Sequence, residues 1–166
     1  MDNKKALSTV VATVIMIALV LSAIAIVWGV VANLVDEQLK GADSCISVFD
    51  KVEINGRYTC YDPTNNKFQF SLNIRDIDVD EVLFAISYLG STETFKISNS
   101  LEDVQGVTNF PSGSINVLLP KKNGGSTYIY DLSSEPDLFE ISPVIEGKQC
   151  GISSSLTDIP NCATLL

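Results

Sequence analysis

The sequence predicts an α+β protein, with one long N-terminal hydrophobic α-helix followed by an all-β domain of the β-sandwich, immunoglobulin-like kind. Three observations carry that expectation. Residues 6–35 form thirty consecutive positions without a charge. The remaining chain divides into short alternating or β-branched runs separated by Gly, Pro, Asn and Asp, the pattern of seven or eight strands in a sandwich. All four cysteines, Cys45, Cys60, Cys150 and Cys162, lie beyond the uncharged run.

The uncharged run opens directly after Lys4 and Lys5 and closes at Asp36 and Glu37. A helix rises about 1.5 Å per residue, so thirty residues reach roughly 45 Å against a hydrocarbon core of about 30 Å. The surplus of two to three turns has to be covered by tilt, by a helix bundle or by protein. Positive charge stays on the cytoplasmic side, which predicts an inside N-terminus and an outside location for residues 36–166. A cleaved secretory signal has an apolar region of only about 7–15 residues, so that reading is set aside. Small residues recur along the helix at Ser8, Thr9, Ala12, Thr13, Ala18, Ser22, Ala23, Ala25, Gly29 and Ala32. Such residues let apolar helices approach closely, although Ala and Gly are also common in any membrane helix. Trp28 suits either an interfacial anchor or a packed position.

Lys4-Lys5-Ala6 followed by Leu7-Ser8-Thr9-Val10-Val11-Ala12-Thr13-Val14 resembles the class III signal peptide of archaeal type IV pilins and archaellins. In that family a basic leader ends at a small residue, and a membrane-embedded prepilin peptidase cuts just before the apolar helix. The resemblance implies a leader at 1–6, cleavage between Ala6 and Leu7 or one position earlier, and a hydrophobic helix over 7–42 that serves first the membrane and then a filament core. Thr9 stands where many of these archaeal proteins have proline, and Val11 stands where bacterial pilins have glutamate.

Beyond the helix, residues 43–166 are enough for one domain and not two. The spacing of the cysteines, fourteen and eleven intervening residues, and the absence of any His argue against zinc and for two disulfides in an exported domain. Three pairings are possible. Proximity in sequence favours Cys45–Cys60 and Cys150–Cys162, each loop contributing about 3 kcal/mol in the chain-entropy model. Residues 46–54 (ISVFDKVEI) read as the first strand, and Asn55-Gly56 as a type I′ hairpin into 57–61. A tight hairpin sets Lys51 opposite Cys60 and carries Cys45 away from it, so either the turn is looser or the pairing differs.

Residues 62–66 (DPTNN) form the next turn, and 67–75 alternate with Phe68, Phe70, Leu72 and Ile74 on one face. Residues 82–89 (VLFAISYL) are nearly continuous in apolar character, as a central strand requires. Gly90-Ser91 turns into a strand at 92–97, residues 98–114 read as the longest loop, and 115–119, 127–132 and 139–145 complete the set. The tail 151–166 is Ser/Thr-rich, with the Cys150–Cys162 bridge holding it. Cys60-Tyr61 before a turn, and Ser142-Pro143-Val144-Ile145 leading to Gly147-Lys148-Gln149-Cys150, give the domain its own resemblance to small archaeal pilin-like proteins.

The chemistry is bounded by what is missing. With no His, a Ser-His-Asp triad, a Cys-His pair and most zinc catalysis are excluded, and no enzyme is expected. Lys122-Asn123-Gly124-Gly125-Ser126 lacks P-loop spacing and reads as a hairpin turn. Asp76, Asp78 and Asp80 alternate like the start of an EF-hand, but Glu81 and Ser87 stand where its glycine and bidentate glutamate belong. A solvated acidic connection is the favoured reading there, with a loop calcium site left open. No N-x-S/T sequon occurs. A net charge of −9 argues against a nucleic-acid surface, and no cofactor is expected. The expected partners are other copies of the chain in a helical filament through residues 7–35, the membrane before assembly, and the peptidase. The expected role is a structural pilin subunit of an extracellular adhesive filament. The alternative is a single-span, membrane-anchored binding domain that never polymerises.

Overall fold

A computed structural model describes residues 3–46, 48 and 50–164, with the backbone alone for residues 3–10, 36–44 and 164. The chain divides into two units, Met1–Asp43 and Ser44–Leu166. The first unit is helical. Helix α1, Asn3–Ile46, continues for three residues into the second unit. The predicted strand at 46–54 is therefore shorter than expected. Ile46 ends the helix and the strand β1 is only Val52–Ile54, while Ser47 and Phe49 lie outside the described residues.

The Asn55-Gly56 hairpin is not formed. Asn55 has φ −86° and ψ 96°, and its side chain accepts a hydrogen bond from the Arg57 N–H, so it caps a 3₁₀ turn at Gly56–Tyr58. The chain does not reverse. Strand β2 (Cys60–Asp62) runs on in the same direction as β1, and both pair antiparallel with β3 (Lys67–Ile74), at Val52↔Ile74 and Cys60↔Gln69. The side chain of buried Thr59 patches the interruption, donating to Asn55 O at 2.9 Å and accepting from Ser71 N at 3.2 Å. The physical reason is competition. An Asx side chain bonding its own backbone two residues on offers an alternative to the positive-φ hairpin turn.

The later elements are β4 (Glu81–Tyr88), β5 (Ser91–Ser98), β6 (Glu102–Asp103), β7 (Val107–Asn109), β8 (Asn116–Val117), β9 (Gly124–Asp131), β10 (Leu138–Ile145), β11 (Lys148–Gln149) and β12 (Ser154–Leu156). The predicted loop at 98–114 thus holds two short strands, and the strand predicted at 115–119 is reduced to two residues. Lys121–Asn123 form a turn, but β8 before it and β9 after it belong to different sheets, so it is not a hairpin. True two-residue hairpins occur at Leu89-Gly90 (φ 48° and 75°) and Glu146-Gly147 (φ 51° and 73°). Positive φ at both central residues is the type I′ signature, whose twist matches that of paired strands.

One sheet is ordered β1/β2–β3–β9–β7, the other β11/β12–β10–β4–β5, and β6 pairs β8 separately. Every pairing between these strands is antiparallel. This is the A-B-E-D and G-F-C-C′ order of an immunoglobulin-type sandwich. The alternation predicted for β3 buries Phe68, Phe70, Leu72 and Ile74, and β4 lies inside its sheet between β10 and β5.

Phe70, fully buried, touches five rings: Phe68, Phe84, Phe95, Tyr128 and Phe139, with centroids 5.2–5.9 Å away. Three of those rings come from the facing sheet. Phe70→Ala is expected to cost about 3–5 kcal/mol, the range for deleting a buried aromatic ring. Leu89→Asn is expected to raise stability by up to about 1 kcal/mol, because Leu89 is 79% exposed and Asn tolerates positive φ better. Urea denaturation followed by circular dichroism measures both.

Candidate functional site: an apolar helix and a disulfide-laced seam

Two features could carry function, and each belongs to its own unit. In the helical unit, residues Val11–Val35 form a stretch long and apolar enough to cross a membrane, with none of it buried. Val31 is 44% exposed and Trp28 74%. Water cannot hold such a surface uncovered. Lys4, Lys5, Ala6 and Leu7 all lie on the backbone of α1, and their side chains are outside the described residues.

The helix also brings together what the sequence displays only as a scatter. Ala18, Ser22, Ala25, Gly29 and Ala32 recur at intervals of four, three, four and three, and so share one face. Ser22 keeps that face smooth by donating its hydroxyl back to Ala18 O at 2.8 Å. Among the described residues, nothing beyond the adjoining helix backbone lies within 4 Å of where a Cβ on Gly29 would sit. Glycine inside a helix costs roughly 0.5–1 kcal/mol relative to alanine, and no described contact repays it. The four-three spacing was available in the sequence as a signal.

In the β-domain the four cysteines form two disulfides, but the expected partners are wrong. Cys45 bonds Cys150 with Cα atoms 5.3 Å apart, and Cys60 bonds Cys162 at 4.9 Å. Sequence neighbours were the wrong guide because the domain's first edge and its C-terminal tail run side by side. Ile54 N–H donates to Ser154 Oγ at 3.3 Å, and Tyr61 N–H to Pro160 O at 2.9 Å. Tyr61 and Asn161 form a parallel bridge. Two parallel segments, 45–60 and 150–162, are therefore joined near both ends. The tail is held by Cys60, and it carries β12 rather than irregular chain alone.

Pro143 helps to shape this seam. Its carbonyl accepts from Cys150 N at 2.9 Å. The N–H and C=O of one strand residue point to the same neighbour, so the donor that proline lacks falls where β10's outer edge passes from β12 to β11. The break costs no ladder bond.

On the far side of the sandwich a polar latch crosses the sheets. Glu93 accepts from Tyr88 Oη through one carboxylate oxygen and from Tyr130 Oη at 2.7 Å through the other. Phe95 stacks on Tyr130 at 4.9 Å. The hydrogen bonds from Tyr88 and then Tyr130 hold the Glu93 carboxyl below its usual range. Burial, then the bonded carboxylate, pushes Tyr130 up to about 12, and burial pushes Tyr128 up to about 12. Sequence reasoning missed this cluster, since Glu93 and Tyr130 meet only across two sheets.

The acidic connection spends its charges locally. Asp76 pairs with Lys51, Asp80 Oδ2 accepts from Gly147 N at 3.2 Å, and Glu81 pairs with Lys96 at 2.8 Å. The hydrogen bond from Lys51, then its charge, holds Asp76 below the usual carboxylate range. Among the described residues no group of three or more His, Cys, Asp or Glu is placed to hold a metal ion.

No protein-family model matches the chain. No curated protein matches it either.

Peptide mapping of unreduced protein is expected to recover Cys45–Cys150 and Cys60–Cys162 and no free thiol. Titration offers a second check. A carboxyl with a depressed folded-state pKa stabilises fully above its unfolded value, about 4.3 for Glu, and loses that contribution as pH falls through the folded value. Glu93→Gln is therefore expected to lower the denaturation midpoint at pH 7, and the gap from the unaltered protein should narrow as pH falls below the ordinary Glu range. Between about pH 6 and 9 stability should be flat, since the chain has no His and its cysteines are bridged.

Proposed function

We propose that this chain is a structural pilin of the archaeal type IV kind. In this reading the leader is removed at the inner face of the membrane by a prepilin peptidase. The helix then passes from bilayer to a bundle of identical helices, and the β-domain is displayed outside on an adhesive filament. The role is mechanical, with no catalysis, cofactor or nucleic acid. Contacts between copies are heterologous and non-closing, the condition for a fibre rather than a ring.

The observation that carries the reading is the bare helix with its small-residue face. An anchor needs only apolar length, about 20 residues, and gains nothing from glycine at position 29. A helix that packs on its own copies does gain, because close approach is what holds apolar helices together once hydrophobic exclusion no longer distinguishes lipid from protein. The leader resemblance at Lys4, Lys5, Ala6 and Leu7 and the disulfide-bonded, acidic domain support an exported subunit.

Intact mass of the native protein tests processing; the mature chain is expected to begin at Leu7, or at Ala6. Gly29→Leu tests packing, since it keeps the helix apolar and should leave membrane insertion intact while filaments disappear from electron micrographs. Ala25→Asp places a charge in the bundle, at roughly 2.5–3.5 kcal/mol on the membrane-insertion scale, and should abolish filaments with the β-domain still folded. Retention of residues 1–5, together with membrane-bound monomers and no filament, would replace this reading with the anchored binding domain.

A further inference from the structure

The two bridges share a topological property that neither has alone. In chain order the cysteines alternate between the pairs: Cys45 and Cys150 enclose Cys60, and Cys60 and Cys162 enclose Cys150. Two covalent routes therefore lead from Cys45 to Cys162. One follows the backbone for 15 positions to Cys60 and crosses that residue's bridge. The other crosses at once to Cys150 and follows the backbone for 12 positions. Both routes run along the seam, and both avoid residues 61–149, which hold the sandwich from β3 to β11.

We infer that the crossed disulfides are a load-bypass device: tension between the N-terminal helix and the C-terminus travels through the seam, β1 and β12 included, and leaves the body of the sandwich from β3 to β11 unstretched. The reasoning uses contour length alone. A taut chain spans at most about 3.6 Å per residue, so the shorter route lets the seam lengthen to only about 40 Å before it is fully extended. The unbridged domain offers about 120 residues and about 400 Å. The seam is also backed by a hydrogen bond that loads in shear between the two segments, Ile54 N–H to Ser154 Oγ. Either bridge alone preserves the bypass. With only Cys45–Cys150, tension leaves through residues 150–166, and with only Cys60–Cys162 it arrives through 45–60. The second bridge is thus a reserve that keeps β3 to β11 out of the load path if the first is reduced. The property holds for a filament subunit and for a lone anchored domain alike, so it does not stand or fall with polymerisation.

Single-molecule pulling on the full chain in detergent micelles tests this, with enzymatically ligated handles at both termini so that no cysteine is added. Beyond the extension of the helix, the oxidised protein is expected to gain less than about 40 Å, the full contour of the shorter route less the length the seam already spans. Two paired variants, Cys45→Ser with Cys150→Ser and Cys60→Ser with Cys162→Ser, should each stay below about 60 Å. Full reduction, or all four substitutions together, should release about 400 Å. A gain of hundreds of ångströms in the oxidised protein, or in either paired variant, overturns the inference. So does a reduced protein that still gains only tens. If the four-fold variant fails to fold, the two paired variants decide the matter, since each retains one bridge and predicts a short extension.

Discussion

Phe70 is the contact on which the β-domain depends. It projects from the middle of β3 into the space between the sheets and meets rings from β4, β5, β9 and β10 as well as its own strand. Because side chains alternate along a strand, this one contact sets which face of β3 is buried, and with it the register against β9. Immunoglobulin domains of the antibody type cross the same space with a disulfide packed against a tryptophan. Here a cluster of rings centred on Phe70 lies there among buried aliphatic side chains, and the one tryptophan of the sequence lies in the helix. The cysteines are consequently available elsewhere.

They are used where the domain's first and last segments lie side by side. Chain ends of a domain are where fraying concentrates unless they are tied down. In this chain those segments adjoin each other, and each also ends in a bridge. In the chain-entropy model the first cross-link closes a loop of about 100 residues and is worth roughly 4.7 kcal/mol. The second then closes a ring of only about 27 residues through the first, for roughly 3.6 kcal/mol. The opposite side has no cysteine and relies on Glu93 held between two tyrosine hydroxyls. One seam is covalent and the other is polar, and only the polar one responds to acid.

The helix obeys a different physics. Among the described residues none of Val11–Val35 is buried, and the helix's small-residue face lies along a surface that water disfavours. Every residue of the sandwich core is satisfied inside the domain, whereas the helix is complete only in a bilayer or among other helices.

What the sequence by itself determined was whatever depends on local periodicity or on composition. Thirty uncharged residues required a long helix, and Phe68, Phe70, Leu72 and Ile74 marked the buried face of β3 because strand alternation is a property of neighbours. The apolar run at 82–89 announced an inner strand for the same reason. The missing histidine limited the chemistry before any fold was known. What only the tertiary structure decided was pairing at a distance. The cysteine partners, the Glu93 latch and the rejection of a hairpin at Asn55-Gly56 all turn on which segments lie beside one another. The small residues of the helix stand between the two cases, since their spacing was legible but its meaning required a helix whose Val11–Val35 stretch is unburied among the described residues. Residues 45 and 150 are remote in the chain, and nothing in their flanking sequence records that the sandwich returns its last segment to lie against its first.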